Sequence, residues 1–171
     1  MPNNHFIFDN LEQLGIGSRF LDTIADMLEC ADMFRDFSRQ DIETIAQYIQ
    51  AYSAPAGTTV LEEGDKESYM FIVVEGKINI FKTGADYKHG KKLATVRAGK
   101  TIGEMSLIDG MPHSASAITS EATKLLLITR NNFESLTQAH PELALSLIRK
   151  IAMLMSLRLR QTSGILVDFL D

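Results

Sequence analysis

The stretch Gly99-Lys-Thr-Ile-Gly-Glu-Met-Ser-Leu-Ile-Asp-Gly-Met-Pro-His-Ser-Ala-Ser-Ala117 constrains this chain more than any other. Gly99 and Gly103 frame a sharp entry, and Glu104 stands beside the second glycine. One short apolar turn follows, Met105 to Ile108. Asp109-Gly110 can end it, and Pro112 blocks its continuation. Ser114 to Thr119 alternates small polar and apolar residues as a strand does. The spacing predicts strand, glycine corner, one helical turn, loop, strand. A helix that starts at a glycine corner leaves backbone N–H groups without partners, and these attract an anion such as a phosphate.

Short strands are predicted on both sides of this stretch. Pro55-Ala-Gly57 is a turn and Thr58 to Leu61 a strand. Glu63-Gly-Asp65 is a second turn. Tyr69 to Val74 is a nearly continuous apolar run, too short for an ordinary helix, and Gly76 ends it. Lys77 to Lys82 alternates strictly, with Ile78 and Ile80 on one face. Thr83 to Lys92 reads as a polar loop, Leu93 to Val96 as a short strand, and Ala122 to Thr129 as the last strand. Short strands parted by glycine turns indicate a sandwich or barrel.

Helical patterns flank the strands. Ser18 is an expected N-cap before Phe20, Leu21, Ile24, Ala25 and Leu28. Ser38 is another, with Asp41 three residues on in an imperfect capping box. Asn131 or Asn132 is expected to cap a short helix through Phe133 and Leu136. Pro141 fits the first position of a longer helix that Gly164 interrupts or ends. On that helix Leu143, Leu147, Ile151 and Leu154 share a face, and Ala144, Ile148, Ala152, Met155 and Leu159 lie beside it. The stripe is broad enough to cover the strands and also to pair with a second subunit. Phe6, Ile7, Phe8 and Leu11 form an apolar arm, and Ile165 to Leu170 an apolar tail.

A chain of 171 residues fits one domain with a real core. A net charge of −5 argues against a dedicated DNA-binding surface. No apolar run approaches the roughly 20 residues of a membrane span, and the N-terminus lacks the basic start and apolar core of a secretory signal. Cys30 is the only cysteine, which suits the cytoplasm. His5, His89, His113 and His140 show no close ligand spacing, so no metal site is expected. Lys91-Lys92 and Arg158-x-Arg160 read as solvated basic patches. No grouping of Ser, His and acid suggests nucleophilic catalysis.

Residues 99–117 resemble the phosphate-binding cassette of cyclic-nucleotide-binding domains. In that family the cassette runs Phe-Gly-Glu, an apolar turn, a loop, then Arg, a small residue and Ala. Here the match is Ile102-Gly103-Glu104, then Pro112-His113-Ser114-Ala115. Gly64-Asp65, Gly76 and Gly99 follow the family's glycine framework, and the resemblance extends from about Ser38 to Leu159. It implies a mainly β fold with flanking helices, an antiparallel double-stranded β-helix or jelly roll. The resemblance also implies ligand contacts from Gly103, Glu104, Met105, Ser106, His113, Ser114 and Ala115. Glu104 would accept from a ribose 2′-OH; turn amides and Ser114 would hold a cyclic phosphate. His113 stands where the family has its phosphate-binding Arg. In bacterial regulators of the family the helix after Pro141 makes a dimer, and a Thr-Ser pair on it contacts adenine; Thr162-Ser163 lie about one turn further along. The chain stops where those regulators begin a helix-turn-helix domain.

The expectation is one domain over residues 1–171: an N-terminal arm and helices to 53, a β-roll over 54–130, and C-terminal helices over 131–171. It is expected to be a cytoplasmic, non-enzymatic sensor for cAMP or cGMP without a metal. A homodimer is expected through Leu143, Leu147, Ile151 and Leu154, with a protein partner open and neither nucleic acid nor membrane involved. The alternatives are a ligand-free dimerisation or interaction module with a degenerate cassette, a regulator lacking its DNA-binding half, and a receptor for another anionic metabolite. Glu104 could instead cap its own turn or pair with a cation. His113 could be a solvated loop residue, and Ser114 a small packing residue.

Overall fold

The structure is a computed structural model and describes residues 10–14, 18–84 and 87–167. Among the described residues nine strands and five α-helices follow in chain order, with a short 3-10 turn at Asp32–Phe34: β1 (Glu12–Gln13), α1 (Ser18–Glu29), α2 (Arg39–Ala46), β2 (Gln50–Ala54), β3 (Thr59–Leu61), β4 (Tyr69–Glu75), β5 (Lys77–Gly84), β6 (Tyr87–Arg97), β7 (Thr101–Ile102), α3 (Glu104–Asp109), β8 (Ser116–Thr119), β9 (Thr123–Thr129), α4 (Arg130–Ala139) and α5 (Pro141–Val167). The strands form two antiparallel sheets, ordered β1-β2-β9-β4-β7 and β3-β8-β5-β6. This is the β-roll expected from the sequence.

The continuous apolar runs of β4 and β9 have a direct explanation. Tyr69, Phe71, Val73, Leu125 and Leu127 pack between the sheets with Val60, Ile78 and Ala117. Their neighbours Met70, Ile72, Leu126 and Ile128 face the other way, against Leu28 of α1, Ile45 of α2, Leu136 of α4, and Leu147 and Ile151 of α5. A strand covered on both faces has no polar face to alternate with. Each such side chain contributes about 1.5–3 kcal/mol by leaving water.

The helix termini follow local chemistry. Ser38 accepts from the Asp41 amide at 3.1 Å while the Asp41 carboxylate accepts from the Ser38 amide at 3.2 Å, so the capping box is complete. Ser18 is already the first helical residue of α1. Thr129, not Asn131 or Asn132, caps α4 by accepting from the Asn132 amide at 3.2 Å.

Three further expectations are corrected. Residues 83–84 and 87–92 are not a polar loop but belong to β5 and β6, which pair as one long hairpin with Ile78 opposite Val96 and Ile80 opposite Ala94. Gly164 does not end α5, which runs on to Val167; the glycine has open space around it. On α5, Leu147 and Ile151 are 1% exposed and belong to the domain's own core, so they cannot form a subunit seam. Leu143 and Leu154 are half-buried against the same core. Among the described side chains, the large apolar residues that α5 exposes are Leu145, Met153, Leu157 and Leu159. Leu11 is buried in the core between the sheets, while Phe6, Ile7, Phe8 and residues 168–171 lie outside the described residues. No helix among the described residues is long and apolar enough to cross a membrane.

Candidate functional site

The candidate cassette is anchored by backbone. β7 pairs with β4, with Phe71 opposite Ile102 and Ile72 opposite Thr101. Gly103 then turns the chain with φ of +80°, a left-handed conformation that glycine tolerates best. Six residues of helix follow as α3, and Gly110 ends them with φ of +69°. Beyond the loop, His113 is stapled to the Gly64-Asp65 turn. Its amide donates to the Asp65 carbonyl, and its carbonyl accepts from the Gly64 amide, both at 2.9 Å. Lys82 donates to the Ser114 carbonyl at 2.6 Å and to Glu63 at 2.7 Å. Glu63 also accepts from the Thr83 amide at 2.8 Å. Lys82, then Thr83, hold the Glu63 carboxyl down to a pKa of about 2. This pair fixes the exit of the cassette against β5.

The result is a cavity of about 240 Å³ at one end of the roll. Its walls are apolar: Leu61 of β3, Ile80 of β5, Ala94 and Val96 of β6, and Ile102 of β7. Its polar side is Gly103, Glu104, Ser106, His113 and Ser114, with Arg158 of α5. All seven residues singled out from the sequence, Gly103, Glu104, Met105, Ser106, His113, Ser114 and Ala115, line this one cavity. They differ in exposure. Met105 is half exposed and Ser114 exposed, whereas Glu104, Ser106 and His113 are 4%, 2% and 4% exposed.

Three buried side-chain atoms here have no hydrogen-bond partner: Glu104 Oε2, Ser106 Oγ and His113 Nε2. Leaving such a group unsatisfied costs about 1–3 kcal/mol, more for a charged one. A larger groove of about 880 Å³ runs between α2 and the start of α5, lined by Asp36, Gln40, His140, Arg149 and Lys150 among others. It contains none of these unpartnered atoms, so the smaller cavity is the candidate site. Among the described residues no group of three or more His, Cys, Asp or Glu could hold a metal ion.

His113 is not the solvated loop residue that the sequence left open. Its ring meets Tyr69 edge-on, with centroids 4.7 Å apart. Burial pushes the imidazole pKa below its usual value, while the Asp65 carboxylate and a backbone hydrogen bond to Glu67 push it partly back. The ring is therefore a neutral group at pH 7.

Arg158 is the residue that sequence reasoning missed. It donates to Glu104 Oε1 and, through its other terminal nitrogen, to the Thr101 carbonyl at 2.6 Å. It is no solvated patch. The signal was present: Arg158 lies four residues beyond Leu154 and seven beyond Ile151, so it continues the inward stripe. Glu104 does pair with a cation, as its structural alternative proposed, but with one oxygen only. Thr162 donates to the Arg158 carbonyl at 2.9 Å, one turn back on the same helix, and neither Thr162 nor Ser163 lines the cavity.

Comparison with known proteins agrees with this fold. The Cyclic AMP receptor protein of Thermus thermophilus is 30% identical over 129 residues, which cover 75% of this chain and 57% of that protein. The chain thus spans little more than half the length of that curated relative. A cyclic nucleotide-binding domain from Methylobacillus flagellatus has a crystal structure that superposes with a TM-score of 0.83 at 29% identity, covering 96% of this chain and 92% of the other. The Thermus thermophilus Catabolite Activator Protein superposes with a TM-score of 0.69 at 28% identity, over 81% of this chain and 62% of the other. The profile of the Cyclic nucleotide-binding domain matches residues 52–140, more than half of the sequence, and the chain belongs to that family.

Proposed function

We propose that this protein is a regulatory binding module, not an enzyme, and that its cavity takes cAMP or cGMP without a metal. The observation that carries this reading is the trio of buried unpartnered atoms, Glu104 Oε2, Ser106 Oγ and His113 Nε2, on one side of one cavity. Carboxylate and hydroxyl suit a ribose edge, and the apolar wall of Leu61, Ile80, Val96 and Ile102 suits the sugar and base. Ser114 stands at the mouth as a further donor. Occupancy would be reported by α5, which meets the site through Arg158. The exposed Met153 and Leu157 support a homodimer through the outer face of α5. A cytoplasmic location and the absence of a nucleic-acid partner belong to the same reading, which rests there on the lone Cys30 and the net charge of −5.

A second reading, an interaction module with a degenerate cassette, is favoured by His113. A buried neutral imidazole does not replace the permanent charge and two-pronged phosphate contact of an arginine. Calorimetric titration with cAMP and cGMP at pH 6 and pH 8 separates the two. Saturable heat supports the receptor. A folded protein silent at both pH values supports the interaction module.

A further inference from the structure

His113 is held from three directions. Its backbone is stapled to the Gly64-Asp65 turn by two hydrogen bonds of 2.9 Å. Its ring packs edge-on against Tyr69 of β4, with centroids 4.7 Å apart. Its Cε1 lies over the Gly103 corner, 3.3 Å from where a β-carbon would stand. The two ring nitrogens have different surroundings. Nε2 is buried at the cavity and has no partner. The ring makes a hydrogen bond to the backbone of Glu67, and this bond therefore falls to Nδ1. The Glu67 amide already donates to the Asp65 carboxylate at 3.1 Å, so Nδ1–H donates to the Glu67 carbonyl. A neutral imidazole carries one N–H. With that proton committed to Nδ1, Nε2 offers the cavity a bare lone pair.

A phosphodiester oxygen is also an acceptor, and it carries the charge of the nucleotide. The Glu104 carboxylate repels it, and Arg158 is already bound to Glu104 and to the Thr101 carbonyl. The remaining polar side chains of the cavity are Ser106, His113 and Ser114. We propose that His113 makes nucleotide capture proton-coupled: Nε2 takes one proton from solvent as the phosphate seats against it, and the new N–H donates to a phosphate oxygen. The proposal rests on reading the cavity as a cyclic-nucleotide site. A phosphodiester is already ionised at neutral pH and brings no proton of its own. Without the proton, two lone pairs would face each other. With it, the ring gains one positive charge opposite the phosphate.

The groups around the ring fit this cycle. Asp65 favours the charged ring, while burial opposes it. Glu62 and Glu67 join Asp65 in acting on the neighbouring Tyr69. Glu104 is paired with Arg158, and Glu63 with Lys82 at the cassette exit. The ring thus stays neutral in the empty cavity, and an anion beside it reverses the balance. Affinity is full below the ring's pKa in the free protein. It falls about tenfold per pH unit from there to the higher pKa of the complex, and is level above that.

The test uses the full chain, with cAMP and cGMP as probes. Calorimetry from pH 5.5 to pH 8, in buffers of different ionisation heat, reads affinity and proton uptake together. Whichever nucleotide binds should weaken with rising pH by up to about tenfold per unit, with net uptake approaching one proton per nucleotide. His113 is the one imidazole among the described residues that line the cavity. In His113→Gln, whose carboxamide donates without titrating, the uptake and the pH dependence should both vanish. Long-range proton–nitrogen spectra of the free protein at pH 7.5, assigned by the signal missing from His113→Gln, should show the Nδ1–H tautomer. The proposal is overturned, with the nucleotide reading intact, if a nucleotide binds without proton uptake or if His113→Gln keeps the same pH dependence. An Nε2–H tautomer in the free protein overturns it as well, whether or not the variant folds. Binding of neither nucleotide at any of these pH values defeats the proposal and the nucleotide reading together.

Discussion

Gly103 and Tyr69 are packed so closely that a β-carbon on Gly103 would lie 2.6 Å from the Tyr69 carbonyl oxygen. The same β-carbon would press on His113 Cε1 at 3.3 Å. The cassette can enter α3 at this angle because the corner has no side chain.

Gly103→Ala should therefore destabilise the fold, by about 1–3 kcal/mol for the left-handed backbone alone and more for the contact with Tyr69. Urea unfolding reads this as a lower midpoint. An unchanged midpoint would mean that the corner relaxes freely.

The buried His113 makes a pH prediction. Its folded pKa lies below its unfolded value of about 6.5. Between the two values the unfolded chain binds the extra proton, so stability rises with pH across that window. The contribution of neutral His113 is complete above about pH 6.5 and is lost as pH falls towards the folded pKa. Urea midpoints from pH 5 to pH 8 should drop less steeply on the acid side in His113→Gln than in the unmodified protein. Identical acid limbs would show that the ring is not held neutral.

His113→Arg should tighten cAMP at pH 8 by about tenfold or more, by supplying a permanent charge and a two-pronged contact for phosphate. Calorimetry on a variant shown to be folded checks this. Unchanged affinity would place the phosphate away from position 113.

The outer face of α5 makes an assembly prediction. Met153 is 65% and Leu157 53% exposed, and one helical turn separates them. Glu at both positions should weaken a homodimer at least a hundredfold or so, since each buried apolar side chain is worth about 1.5–3 kcal/mol. Sedimentation should find a dimer before the change and a monomer after it. A monomeric unmodified protein at micromolar concentration would reject the seam.

What the sequence made legible was local chemistry and burial on two faces. Ser38 and Asp41 reveal their cap because both partners lie within one turn. Tyr69 to Val73 and Leu125 to Ile128 reveal strands because the core covers them on both sides. Of the hairpin partner β6 only Leu93 to Val96 was legible; its first half stayed hidden because β6 is the edge of its sheet, where Lys91 and Lys92 are exposed and no apolar alternation is needed. Gly164 is a poor helix former by about 1 kcal/mol, which a 27-residue helix absorbs. In the cassette, seven residues were readable as one run. For Arg158 only the inward-facing position on α5 was legible; its partner was not, because Glu104 lies 54 positions away along the chain and only the fold brings the two together.

The most direct test of the central claim is a calorimetric titration of the unmodified chain with cAMP and cGMP, repeated on Glu104→Ala. The account predicts one-site saturable binding of at least one of the two, weakened in Glu104→Ala far more than for the matching 2′-deoxy analogue. A folded protein that takes up neither nucleotide at pH 6 or pH 8 would contradict it.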